Sequence, residues 1–436
     1  MKRVYRFSSV MALALAAASP ISASSLRDAI EADYPQLEAL FRHFHAHPEL
    51  SMQEFQTADR LARELESAGY EVARNIGKTG LVGTLRNGDG PVLLIRADMD
   101  GLPVEEKTGL AYASRARQVN LEGAEMPVMH ACGHDMHMTS LVGTAKRLAA
   151  LKDQWRGTLL LLGQPAEEAI GGASAMVADN LYARVGRPDY ALALHVIAKY
   201  PAGKIAFSDG LMYSSADTVR ILVRGVATHG ASPHLGKDPI FIGSQIVVAL
   251  QSIVTREISP TEPALITVGA FRAGTAPNVI PDHAQLDITV RANTEATRAQ
   301  LLASIERVAL QTARAAGVPE NLLPEILVAS DGARTTTNDA ALARRVRSAM
   351  RAGMGPDAFA EWYQSDMGAE DFPELVSVDP PIPSVYFEVG GTPPERLASG
   401  QWAGHHSPLF QIDAETSIKA GVQAMTLAAL ELLGKP

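Results

Sequence analysis

Residues 157–168 read GTLLLLGQPAEE. Four leucines in a row cannot alternate between a dry and a wet face, so the segment reads as a strand covered on both sides. Gln164 and Pro165 end the run, and two adjacent carboxylates, Glu167 and Glu168, follow at once. The same order recurs along the first half of the chain. LVGTLR (81–86) is a short apolar run, PVLLIRADMD (91–100) closes on Asp98 and Asp100, and YALALHV (190–196) carries His195 near its end. Amphipathic segments such as HMTSLVGTAKRLAALKD (137–153) alternate with these runs. Strand–helix alternation of this kind predicts an α/β fold whose sheet is covered by helices on both faces. In such sheets ligands bind beyond the strand ends, so the polar residues there can converge on one site.

The texture changes near residue 213. TVRILVRGV (218–226), a helix over 238–258, ALITVGAFRAG (264–274), AQLDITVRA (284–292), a helix over 297–317 and PEILVAS (324–330) give the order β-α-β-β-α-β. That order predicts a separate α+β unit of four strands and two helices. The α/β pattern resumes at NDAALARRVRSAM (338–350) and continues through SVYFEVGG (384–391) and the helix at 413–433. The reading is therefore an outer domain, residues 25–212 and 332–436, with an inserted domain at 213–331.

The chain opens with Lys2, Arg3 and Arg6, an apolar run from Val10 to Ala18 and small residues at 19–25. This predicts a cleaved export signal over residues 1–24, and hence a periplasmic or secreted protein. The run is well short of the roughly 20 residues that span a bilayer, and no later stretch reads as long and apolar enough. Removing residues 1–24 takes away three positive charges and no negative one, so −9 becomes −12. An acidic chain of this kind argues against nucleic acid or an anionic membrane as partner. One cysteine cannot make an internal disulfide, so Cys132 needs another reason to be present.

Cys132 lies in VMHACGHDMHM (128–138), where Gly133 permits a sharp turn into a helix. A cysteine at a helix start is expected to have a lowered pKa and to offer a thiolate to metal. His134 can ligate beside it; taken alone, the pair is as readily a structural turn. Asp135 could orient an imidazole, and His130 and His137 stand as bystanders or supports. Glu167 and Glu168 point apart, so one can hold a metal and the other a water, although acidic residues also favour exposed helix starts. His195 alone reads as a buried core histidine, and GHHSPLF (404–410) adds His405 and His406. One thiol, several imidazoles and a glutamate pair suit zinc, manganese, cobalt or nickel better than calcium. In the insert, His229 and His234 occupy GVATHGASPHLGKDP (225–239), while Asn278 and Arg291 lie within 272–292. An amide and a guanidinium are good partners for a substrate carboxylate, and are also ordinary on a surface.

RADMDGLPVEE, HACGHDMHMTSLVG, QPAEEAIGGASAM, LALHV, THGASPHLGKDP, GTAPNVIPDHAQLDITVR, MGAEDFPEL and HHSPLF, in this order, resemble the M20 metallopeptidase family. The likeness is to its amidohydrolase branch, which cleaves N-acyl amino acids such as hippurate and indoleacetyl conjugates. It runs from about FHAHPELSMQE (44–54) to the C-terminus. The resemblance implies a zinc-peptidase-like outer domain and an inserted lid that pairs two subunits as a homodimer. It implies two divalent ions held by Cys132, His134, Glu168, His195 and His406, with Cys132 shared between them. Zinc or manganese come first, then cobalt or nickel. Glu167 would be the general base, His229 would reach the partner's site, and Asn278 and Arg291 would bind the amino-acid carboxylate. Asp98 and Asp100 would support the ligands without touching metal.

Two departures stand out. Gly101 replaces the usual alanine of DMDALP, and Ala227–Thr228 alters the run before His229. His406 is taken over His405 because HSPLF fits the family's His–x–Pro–x–Phe from that residue. The expected reaction is hydrolysis of an N-acyl amino acid or a dipeptide. Competing readings are a cysteine hydrolase with Cys132 as nucleophile, which leaves the glutamates and His406 idle, and a non-catalytic metal- or peptide-binding protein.

Overall fold

The computed structural model describes residues 23–434, so the signal expected at the N-terminus lies almost entirely outside the described residues. The first described helix, Ala23–Ala46, begins two residues before the expected start of the mature chain.

The outer domain is built on a seven-stranded mixed sheet. Its order is Glu71–Ile76, Gly80–Asn87, Gly157–Gln164, Val92–Asp98, Tyr190–Pro201, Ser384–Thr392 and Ile205–Ala206. The four strands from Gly157–Gln164 to Ser384–Thr392 run parallel, and the flanking ones antiparallel. Every residue of Ser384–Thr392 is buried, and all but one of Gly157–Gln164. Successive side chains point to opposite faces, so unbroken burial means that both faces are covered. Helices Ala23–Ala46, His134–Ala150 and Ala414–Leu433 pack on one another, and the latter two also on the sheet. The last begins at a side-chain cap, with Asp413 accepting from the Thr416 amide.

The insert has its own sheet, all antiparallel, in the order Ala264–Ala273, His283–Ala292, Asp217–Arg224, Glu325–Val328. Burial alternates along Asp217–Arg224 and His283–Ala292, as it must when helices cover one face only. Helices Pro239–Ser252 and Glu295–Ala315 supply that cover. Ile242, Ile246, Leu301 and Ile305 meet Val219, Ile221, Leu286 and Ile288 in a core separate from that of the outer domain. At the junction Leu211–Tyr213 pairs with Thr336–Thr337.

Two expectations need correction. The helix expected to run unbroken over 238–258 is α-helical only to Ser252, after which Ile253–Glu257 widens into a π turn. And Pro239–Glu257 is in fact long and apolar enough, by length and composition, to cross a membrane. Its composition is split between the insert core and an outward face. Phe241 is 58% exposed and Val248 73%.

Candidate metal centre

Three parallel strands deliver the polar residues to one end of the outer sheet. Asp98 closes Val92–Asp98, and its Oδ1 lies 2.6 Å from His137 Nδ1. His137 Nε2 accepts the Val196 amide at 2.8 Å, so both of its nitrogens are occupied and it cannot ligate. Asp100 grips the carboxylate loop from below. Its two oxygens accept the Glu167 and Glu168 amides, each at 3.1 Å, and the Ser51 hydroxyl at 2.6 Å. Glu54 accepts the Ala166 amide at 2.8 Å, so the loop's backbone is fixed on both sides of Glu167.

Cys132 is placed by Gly133, which takes φ +87° at the helix cap. A Cβ on Gly133 would stand 2.3 Å from Val196 Cγ1, so glycine is needed for space as well as for conformation. Cys132 Sγ lies 3.4 Å from His195 Nε2. His195 Nδ1 is 2.6 Å from the Val196 carbonyl, which fixes its hydrogen there and leaves Nε2 with a free lone pair. His134 is wholly buried, with Nδ1 3.3 Å from Asp100 Oδ1. Its Nε2 stands 3.7 Å from Glu168 Oε1 and 3.8 Å from Glu167 Oε2. His406 Nε2 lies 3.3 Å from Glu168 Oε2, and its backbone sits at φ +63°. His405 instead lies 2.9 Å from the Val196 carbonyl, and burial holds its imidazole down to about 4.

Among the described residues several donor groups have ligating atoms that all lie within 4.8 Å of one another; two of them are Cys132, His134 and His195, and Cys132, Glu168 and His406, and a third is His134, Glu167 and Glu168. The thiol belongs to the first two. His134 Nε2 and Glu168 Oε1 are buried and have no hydrogen-bond partner. Buried polar atoms without partners are costly, and here they face one another at a distance too long to bond and right for a shared cation. The electrostatics agree. Burial alone would push the His134 imidazole down, yet Asp98, Asp100 and Glu168 lift it to about 10. The thiol lowering expected of a helix start is not found. Burial pushes Cys132 up, with Glu168 and Glu167 adding to it, because Gly133 caps the helix and the sulfur faces carboxylates. Nitrogen, oxygen and sulfur donors gathered this closely, with two buried atoms facing one another unbonded, fit a divalent metal.

The sequence reading gave no role to Arg96, Glu370 and Asp371. Arg96 is fully buried and lies 2.7 Å from Asp98, 2.6 Å from Glu370 and 3.5 Å from Asp371. Glu370 and Asp371 in turn form a tight carboxylate group with Glu167. Burial raises Glu167 well above the ordinary carboxylate range, and Glu370 and Glu168 raise it further. The signal was available. An arginine inside an apolar strand has to be paired, and the adjacent acids of GAEDF are candidates for the pairing.

The cluster opens into a cleft of about 660 Å³ between outer domain and insert. The insert side contributes Leu265, Thr267, Thr289 and Arg291. Among the described residues no carboxylate forms an ion pair with Arg291; its Nε donates to Thr289 Oγ1 at 3.3 Å. His229 and Asn278 are exposed and lie outside this cleft. His229 pairs with Val279 in a two-residue ladder, and just beyond it the Gly230 amide donates to the Asn278 carbonyl at 2.7 Å. The structure thus gathers Cys132, His134, Glu167, Glu168, His195 and His406, sets Arg291 along the same cleft, and leaves His229 and Asn278 apart.

A family model described as Peptidase family M20/M25/M40 matches residues 94–431. The chain is 42% identical to the hippurate hydrolase of Campylobacter jejuni, over 60% of this chain and 66% of that one. It is 32% identical to thermostable carboxypeptidase 1 of Saccharolobus solfataricus, over 90% and 94%. Among solved structures, a Bacillus subtilis protein described as a dinuclear metal binding peptidase from the M20 family superposes with a TM-score of 0.74. Sequence identity there is 28%, over 92% of this chain and 99% of the other.

Proposed function

Because this chain belongs to peptidase family M20/M25/M40, and is a hydrolase, we propose that it cleaves the amide bond of N-acyl amino acids with the help of two divalent metal ions. The observation that carries this reading is the pair of donor groups sharing one buried thiol, beside a cleft that holds an unpaired guanidinium. Cys132 would be the shared ligand, with His134, Glu168, His195 and His406 completing the set. When bound, the ions supply Lewis acidity that makes water a nucleophile near neutral pH. Glu167 accepts the proton of the attacking water and returns it to the departing nitrogen. Asp100, which accepts the Glu167 amide, keeps that carboxylate in place. Arg291 takes the carboxylate of the amino-acid half, so binding at one end of the substrate orients the amide at the other.

The test is metal content together with hydrolysis of N-acyl amino acids and dipeptides, before and after chelation. The expected result is about two ions per chain, activity lost on chelation and restored by zinc, manganese, cobalt or nickel. Activity indifferent to chelation would return Cys132 to the nucleophile reading. Peptide cleavage is the second reading, and Asp366 favours it: an exposed carboxylate on the cleft wall can pair with a free α-ammonium group. Dipeptides cleaved in preference to acylated amino acids would establish that reading instead.

The proposal includes a homodimer. The edge strand Ala264–Ala273 and the outward side chains Phe241 and Val248 give the insert a surface suited to a second copy. His229, outside its own chain's cleft, would then serve the partner's. Co-expressed His229→Ala and Glu167→Gln chains are expected to recover roughly a quarter of wild-type activity, since half of the dimers carry one complete site. No recovery in a verified mixed dimer would confine His229 to its own subunit.

A further inference from the structure

The loop that carries the two glutamates is held in an unusual backbone shape. In Pro165–Gly172, Ala166 and Ile170 both sit at φ +48°, in the left-handed region. Two glycines follow directly, but they do not occupy those positions. Gly171 has φ −160°, an extended value open to any residue. Gly172 is required for space, because a Cβ there would meet the Pro165 carbonyl oxygen at 1.6 Å. The left-handed site next to them is filled by a β-branched residue, the side-chain type least suited to it. The Ile170 amide closes the turn by donating to the Glu167 carbonyl at 2.7 Å, so the turn itself asks for glycine and receives isoleucine. Strain of this kind persists when the surroundings impose it, and it gathers where a side chain has a task.

The task is legible in where the side chain goes. Ile170 is half-buried and lines the cleft, close to the donor cluster. Ile197, which follows His195 on its strand, lines the same cleft. The polar side chains of the insert wall, Arg291 with Thr267 and Thr289, lie on the other domain. A substrate whose carboxylate is held by Arg291 and whose amide lies at the donor cluster leaves its acyl group against the part of the outer wall formed by Ile170 and Ile197. We propose that Ile170 is a specificity-determining residue, a wall for the acyl group that favours aromatic and branched chains over acetyl. This rests on the N-acyl amino acid reading above.

The test separates the two ideas by measuring binding as well as turnover. N-benzoylglycine and N-acetylglycine are titrated calorimetrically into metal-loaded Glu167→Gln protein, with and without Ile170→Gly. With the wall removed, benzoylglycine is expected to bind at least about tenfold more weakly, the scale of a few lost methylene contacts. Acetylglycine is expected to change by less than about threefold, and the melting temperature to hold or rise, since glycine relieves the strained turn. Equal weakening of both compounds with a lower melting temperature would make Ile170 a prop for the glutamate loop and overturn the proposal. An unchanged ratio would overturn it as well. If wild-type protein binds both compounds and the ratio shifts as expected, yet neither is hydrolysed, the N-acyl hydrolase reading fails while the wall stands. If neither compound binds, both fall.

Discussion

Replacing Glu167 by glutamine is expected to lower kcat by about 10³-fold while leaving the fold and the metal content as they are. The two side chains have the same shape, so the loop clamped by Asp100 and Glu54 is undisturbed. What is lost is the proton-taking role proposed for this carboxylate, and general base catalysis is worth about 10²–10⁴-fold. Glu168 stands beside it with its Oε2 3.3 Å from His406 and its Oε1 turned toward His134, and is committed to the donor cluster. In the proposed mechanism the two neighbours divide the work, one for the ion and one for the proton. Steady-state kinetics with metal analysis on the same preparation decides the matter. A variant within about tenfold of wild type would remove Glu167 from the base role, and one that lost its metal would make it a ligand.

The second large effect is on stability. Arg96→Met is expected to destabilise the protein by about 3–5 kcal/mol, the usual cost of removing one partner from a buried ionic network. Methionine fills much of the same volume, so the loss is electrostatic. Asp98, Glu370 and Asp371 would be left in a dry interior with no guanidinium among them. Arg96→Lys is expected to recover only part of the loss, since an ammonium cannot reproduce the fork that reaches Gln164, Asp98 and Glu370 together. Urea denaturation of the three proteins provides the measurement. A shift below about 1 kcal/mol for Arg96→Met would show that the carboxylates are neutral in the fold and that the arginine balances nothing.

The elements that could be read in advance are those whose burial is written locally. Continuous apolar runs such as 157–164 give strands covered on both faces, and alternation such as that of 284–292 gives a sheet covered on one. The cluster was partly legible for a related reason. A polar residue directly after a buried strand has few places to go, which holds for Glu167 and Glu168; His195, expected near a strand end, lies instead in the middle of Tyr190–Pro201, which runs on for six residues beyond it. What escaped depends on distance along the chain. Arg96 meets Glu370 across 274 positions: an arginine in an apolar strand announces that it needs a partner, but its own surroundings do not say which acid supplies it. The ladder that pairs His229 with Val279 is only two residues long on each side. The helix-start rule failed for Cys132 because it weighs one dipole and cannot see two carboxylates folding over the sulfur.

The insert divides the outer domain in the order of synthesis as well as in space. Cys132, His134, Glu167, Glu168 and His195 are all translated before it, while His406 and the strand Ser384–Thr392 come after. That late strand lies beside Tyr190–Pro201 with Glu388 opposite His195, so the sheet behind the cluster has a gap until it arrives. A nascent or prematurely terminated chain that stops within the insert has most of the donors, one ligand too few and an open sheet edge. On the proposed ligand set, competence therefore arrives only at the end of translation, and incomplete products are expected to be inert toward amides.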